Sequence, residues 1–307
     1  MWNLAFSPPH VIEARVLTRL PDALRRSRRS EWADANKPGH EVDSFIEGPA
    51  FDRAGNLYLT DIPFGRIFRV GTALDWSVVA EYDGWPNGIA IHRDGSLWIA
   101  DYRRGLLRLE AGSGKPPEAL LGHRNSESFR GLNDLTFDGA GNCYFTDQGQ
   151  SGLHDPSGRV YRLRTSGQLD LVVGGIPSPN GIALDVAGRA LFIAVTRANQ
   201  VWRGPLLADG SVSKVGAFRT FFGASGPDGM AVDAENRLVV AHASLGGAFV
   251  LNARGEVTHF VKSPGGSTVT NAAFRPGTSR LVLTESETGS VLEADLPSPG
   301  AALYSHQ

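Results

Sequence analysis

One phrase occurs six times along this chain, most plainly as PNGIALDVAGRALFIA at residues 179–194. Each copy is an extended segment, a tight turn and a returning apolar run. The others are EGPAFDRAGNLYLTD from Glu47, PNGIAIHRDGSLWIAD from Pro86, LNDLTFDGAGNCYFTD from Leu132, PDGMAVDAENRLVVAH from Pro227 and VTNAAFRPGTSRLVLTE from Val269. Aligned on the apolar residue before each turn, they put Glu47, Asn87, Asn133, Asn180, Asp228 and Thr270 at one position. The steps between them are 40, 46, 47, 48 and 42 residues. A strand-bearing repeat of that length signals radial repetition around an axis. The predicted fold is therefore all-β, a six-bladed β-propeller with four-stranded antiparallel blades over residues 47–307. Residues 1–46 stand outside the repeat as a short N-terminal extension. There Ile12–Leu17 reads as a strand that closes the ring, and 21–36 as a short helix.

Composition narrows the partners. A chain that is 41% hydrophobic and 20% charged can bury a large core. Its formal charge of −2 points to neither nucleic acid nor an anionic membrane. No apolar run approaches the roughly 20 residues of a membrane span. The start, MWNLAFSPPHVIEARV, lacks the basic opening and sustained apolar stretch of a secretory signal. Cys143 is the only cysteine, which excludes an intrachain disulfide and reads as a buried small hydrophobe. A cytoplasmic protein is expected; nothing in the chain signals an oligomeric state.

Within each blade the innermost strand starts, and the second strand ends, at the same face of the disc. Three sets of residues are expected to meet at that mouth. They are the first-position ring, the second-strand ends (Asp61, Asp101, Asp147, Val195, His242, Glu285) and the loops that follow. Two connections are long, residues 147–158 (DQGQSGLHDPSG) and 121–132 (LGHRNSESFRGL). Long loops on one face of a regular scaffold are usually functional. The basic run Arg25–Arg29 has Glu31 and Asp34 beside it, and reads as a solvated helix face rather than a nucleic-acid patch.

Two carboxylates, Glu47 and Asp228, would converge with Asn87, Asn133 and Asn180 in a narrow channel. Repulsion and desolvation oppose that arrangement, and the ring holds no cation to offset them. A bound divalent ion is the simplest compensation. Carboxylate and amide oxygens without thiolate or imidazole suit Ca²⁺, or Mg²⁺ or Mn²⁺. Side chains that merely cap the inner strands would explain Asn and Asp here but not Glu47, a weak cap. The chain has no G-x-S-x-G elbow, no H-E-x-x-H and no P-loop.

The EGP at Glu47, the NGIA repeats, the ND at 133–134 and the PDG from Pro227 resemble the gluconolactonase/regucalcin (senescence marker protein) family. The resemblance runs from about Ile12 to Leu303, and 131–163 is especially similar to bacterial lactonases of this group. It implies a six-bladed propeller with one axial divalent ion, usually Ca²⁺ and sometimes Zn²⁺, Mn²⁺ or Fe²⁺, that hydrolyses lactones. The family's metal ligands fall on Glu47, Asn180 and Asp228. Asn133 falls where the family either ligates the ion or binds substrate.

Sugar lactonases often carry an arginine two residues before the blade-three asparagine. Gly131 stands there in this chain, with Arg130 one residue earlier, so that sugar contact is not carried over. Around the mouth stand Phe64, Trp85, Tyr102, Phe129, His154 and Phe222, an aromatic set that need not favour a polyol. The implied mechanism has the ion polarise the lactone carbonyl, with Asp228 as general base and Glu47 as a pure ligand. Asn133, Asn87, Trp85 and His154 would bind substrate, and His242 could assist. The alternative is an organophosphate hydrolase of the diisopropylfluorophosphatase type; third comes a non-catalytic binding platform.

Overall fold

The computed structural model describes residues 8–307; the first residues of the segment read above for a secretory signal lie outside it. Each repeat forms one antiparallel sheet with its strands in chain order. Blade one consists of Ile46–Phe51, Leu57–Asp61, Arg66–Val70 and Trp76–Glu81. Blades two, three and four follow over 86–121, 132–176 and 179–220. The last two blades borrow strands from the chain's start. β1 (His10–Glu13) runs parallel to Val257–Lys262 as a fifth strand on blade five. β2 (Arg15–Arg19) pairs antiparallel with Ser290–Asp295 as the fourth strand of blade six. The one strand expected at Ile12–Leu17 is thus two. They part at Ala14, whose N–H donates to the Lys262 carbonyl (2.9 Å) and whose methyl is buried between blades five and six.

The core is split among the seams between blades. Six apolar clusters each join one neighbouring pair of blades. Ile67, Ile89 and Leu107 fill the seam of blades one and two, while Leu20, Ile46, Phe68 and Val282 close six onto one. A blade has a neighbour on either side, so its strands bury both faces and read as unbroken apolar runs. Ala190–Val195 is buried at every residue. Cys143 lies in the seam of blades two and three.

At the inner end of every blade the ladder breaks. Pro86 opposes Asp101 and Ile89 opposes Ile99, so Asn87 and Gly88 bulge out against a single residue. A like irregularity falls at Asn133, Asn180, Asp228 and Thr270, and directly after Glu47. A bulge re-aims side chains that a regular ladder would send into a seam. Glycine makes room for it, since a Cβ on Gly181 would run into the Asp228 carbonyl oxygen. Hydroxyls then stitch neighbouring blades. Thr60, Thr146 and Thr196 donate to the carbonyls of Asn87, Asn180 and Pro227 (2.8 Å each), and Ser286 to that of Ile46 (2.6 Å).

Residues 21–36 are less helical than expected. After a short turn at Asp22–Leu24, only α1 (Glu31–Asn36) is helical, opened by Ser30, whose hydroxyl accepts from the Ala33 N–H (3.2 Å). The arginines before it are drawn into ion pairs instead, Arg25 with Asp43 (2.9 Å) and Arg26 with Glu81 (2.6 Å). Trp32 and Ala33 seat α1 on Ile62 of blade one. Among the described residues no helix is long and apolar enough to cross a membrane.

Candidate functional site

The bulges place Glu47, Asn87, Asn133, Asn180 and Asp228 at the inner ends of blades one to five, all buried. Thr270 does not join them. Its hydroxyl is spent on Thr284 (2.8 Å), Ser286 (3.1 Å) and the Ile46 carbonyl (3.3 Å), which locks blade six to blade one. Its neighbour Asn271 reaches the axis instead and donates to Glu47 Oε2 (2.9 Å). Asp134 likewise follows Asn133. Its Oδ1 accepts from Leu135 N–H (2.8 Å), as Asn271 Oδ1 accepts from Ala272 N–H (2.7 Å). Sequence reading missed Asp134 and Asn271 because attention stayed on the first position. The signal lies one residue on, where blades one, two, four and five have glycine and blades three and six do not. The room comes from the preceding blade: Gly88 lies under Asp134 and Gly229 under Asn271.

The site therefore holds three buried carboxylates. Burial raises the pKa of Glu47 well above the usual carboxylate range, and the charges of Asp228 and Asp134 raise it further. The Asn271 amide and the Gly48 N–H oppose this. Asp228 is raised by burial and then by Asp134, against which the Asn180 amide, Lys37 and Arg197 act. Burial lifts Asp134 to about 7. None of the three is ion-paired to Lys or Arg among the described residues. Among those residues no three His, Cys, Asp or Glu side chains form a metal cluster by themselves. Two carboxylates completed by amide oxygens are a different set, hard and anionic, and they fit a divalent cation that would let both ionise.

Asn133 donates to Gln148 Oε1 (3.0 Å), and Gln148 donates to Ser178 Oγ (2.9 Å). This fixes the Asn133 amide and leaves its oxygen free. Asn87 has no side-chain hydrogen bond among the described residues, although Thr60 holds its carbonyl. Trp85 is half-buried between α1 and Tyr102, at 5.6 Å from the latter ring, and Tyr102 accepts from Gln150 Nε2 (2.8 Å). Gln148 and Gln150 both belong to the 147–158 loop, so that loop braces Asn133 and the aromatic wall together. His154 stands exposed near its tip beside Arg197, with no bond to the ring.

Other expected mouth residues have structural work. Phe64 is buried with Arg28 and Arg66 over its ring, and Phe129 packs edge-on against Phe145 and Tyr161. Phe222 is 74% exposed. The second-strand carboxylates clip incoming chain. Asp61 accepts from the Phe45 N–H (2.8 Å) and pairs with buried Arg66, and Asp147 accepts from the N–H groups of Arg130 and Gly131 (2.7 and 2.9 Å). Asp101 and Glu285 hold their own loops the same way. His242 is 0% exposed between Phe221 and Phe249.

Comparison with known proteins agrees with this architecture. Over 270 residues the chain is 30% identical to lactonase drp35 of Staphylococcus epidermidis, covering 80% of this chain and 82% of that protein. Lactonase drp35 of Staphylococcus aureus is 30% identical over 278 residues, 83% and 82% of the two chains. The fold is shared with a gluconolactonase from Xanthomonas campestris (TM-score 0.74, 20% identity, 95% and 98% covered). It is shared equally with the calcium-binding protein regucalcin from Agrobacterium tumefaciens (TM-score 0.73, 20% identity, 96% and 97% covered). Residues 45–287 match the family described as SMP-30/Gluconolactonase/LRE-like region, from the start of blade one into blade six, and the chain belongs to that family.

Proposed function

We propose that this protein hydrolyses a small-molecule lactone at the axial mouth, in a reaction that depends on one divalent ion, most simply Ca²⁺. The observation that carries the reading is the buried set of Glu47 and Asp228, beside Asp134, with amides around it and no Lys or Arg ion-paired to it among the described residues. The lactonases and gluconolactonase among its relatives, and the calcium-binding neighbour, support it. Action in the cytoplasm belongs to the same proposal.

Glu47, Asn180 and Asp228 would hold the ion, with the free oxygen of Asn133 as a fourth donor. When bound, it supplies Lewis-acid polarisation of the lactone carbonyl. Asn271 orients Glu47, which serves as a ligand only. Asp228 takes the proton of the attacking water. The water oxygen bonds to the carbonyl carbon, the ring C–O bond breaks, and the proton passes to the departing alkoxide oxygen. The product is an open hydroxy acid. Asn87 and Trp85 contact the substrate, and His154 shapes the entrance.

The test is a panel of five- and six-membered lactones offered to protein dialysed against a chelator and then reloaded with Ca²⁺. Activity is expected to vanish on dialysis and return on reloading. Full activity without any divalent ion would sink the metal-dependent mechanism. Turnover of phosphotriesters with every lactone inert would replace it with the organophosphate reading.

A further inference from the structure

Asn133 differs from Asn271 in where its side-chain nitrogen goes. Asn271 spends its nitrogen on a carboxylate of the axial set, Glu47 Oε2 (2.9 Å). Asn133 turns its nitrogen away from that set, to Gln148 Oε1 (3.0 Å), just past the second strand of blade three. Three buried carboxylates, Glu47, Asp134 and Asp228, favour the opposite sense, with an N–H group facing them. A cation on the axis favours the sense that is found, because it needs an oxygen where a nitrogen would repel it. The bond to Gln148 keeps the Asn133 amide in the orientation that the carboxylates alone oppose.

Gln148 is itself held at both ends. Its N–H and that of Gly149 donate to the Gly131 carbonyl (2.8 and 3.1 Å), two residues before Asn133. Its side-chain nitrogen donates to Ser178 Oγ (2.9 Å), on the crossover into blade four, which keeps Oε1 towards Asn133. Ser178 is buried, and its φ of 65° lies in the left-handed region that favours glycine. Blades three and five have glycine, Gly131 and Gly226, at the same repeat position. There, as at Ser178, the carbonyl accepts an N–H from just after the second strand. Glycine would therefore serve the backbone of blade four as well. What serine adds is the hydroxyl that meets Gln148. Ser151 completes the clasp, accepting from the Ser178 N–H (3.0 Å) and donating to the Gln148 carbonyl.

We infer, resting on the metal-dependent reading of the site, that Gln148 is a positioning residue. Seated by Ser178, it turns the Asn133 amide oxygen-inward and so presets an oxygen donor for a divalent cation on the axis. It acts through Asn133.

The experiment titrates Ca²⁺ into the full chain by calorimetry. Q148L can neither accept nor donate, and its Kd should rise about tenfold or more. Q148E still accepts from the Asn133 nitrogen, so its Kd should stay at or below that of the parent. Ser178→Gly removes the hydroxyl together with the strained backbone. Its Kd should rise about threefold while the Tm of the ion-free protein does not fall. An unchanged Kd in Q148L, or a Q148E that binds as weakly as Q148L, overturns the inference. So does a Ser178→Gly protein with a lowered Tm and an unchanged Kd, the mark of a purely structural role. If the parent takes up no divalent ion, the metal-dependent reading fails on its own. The positioning role is then judged in ion-free protein by nuclear Overhauser contacts from the Asn133 Nδ2 protons to the side chain at position 148. Contacts present in the parent and Q148E and lost in Q148L support it. Contacts absent from the parent, or kept in Q148L, overturn it.

Discussion

Asp228 and Asn87 occupy one repeat position in different blades, so exchanging their chemistry separates ligand from base. Asp228→Asn keeps size and one oxygen donor while removing a charge. With saturating Ca²⁺, kcat is expected to fall by about 10²- to 10⁴-fold; near-normal turnover would make Asp228 a ligand only. Asn271→Ala strips Glu47 Oε2 of its amide donor and should weaken Ca²⁺ affinity, measured by titration calorimetry, with about 1–3 kcal/mol lost from the fold. His242 gives a pH signature. Burial pushes its pKa down to about 4. The native state therefore holds it neutral, while the unfolded chain protonates it below about 6.5. Its stabilising contribution is complete above that pH and is lost as pH falls towards 4, at about 2–3 kcal/mol in all. Urea unfolding at pH 7.5 and 5 should show a smaller drop for His242→Phe than for the parent protein. At this scale the first-position ring was legible, because repeats in register align it. Asp134 and Asn271 were not, because they occupy a place that four blades give to glycine, where a side chain looks like an exception rather than a ligand.

Strands were easier to read than the connections between them. Alternating turns and apolar runs mark each blade, and each of the six repeats folds into its own sheet. The helix expected over 21–36 shrank to α1 because its arginines find acids far away in the chain. Arg26 meets Glu81 at a separation of 55 residues, which local periodicity cannot reveal. The 121–132 crossover holds a small hairpin of His123–Arg124 and Glu127–Ser128 that no turn signal announced. The 147–158 loop was recognised by length, but its bonds to Asn133 and Tyr102 required the fold. Deleting its tip, residues 152–155, should reorder a lactone panel while leaving one divalent ion per chain by elemental analysis. An unchanged order would remove the loop from the pocket.

For the whole molecule, the buried carboxylates make stability depend on the ion. Binding to the native state alone at a hundred times Kd adds about 2.7 kcal/mol. Chelation should therefore lower the Tm by about 5 °C or more, read by scanning calorimetry without any substrate. Truncating the chain before Leu20 removes β1 and β2 and bares the edge strand Ser290–Asp295. The expected outcome is aggregation or loss of a single cooperative transition; a soluble, cooperatively melting truncation would show that closure adds little. That closure also sets an order of events during synthesis. β2 leaves the ribosome well over 200 residues ahead of the strand it must pair with. Blades one to four can assemble from consecutive chain as it emerges, but blades five and six cannot be completed that way. Residues 10–19 must wait beside a growing, open-sided disc until residues 257–295 arrive. The nascent chain thus carries an unpaired edge for most of its translation time, and the seam that fastens the ring is the last to form.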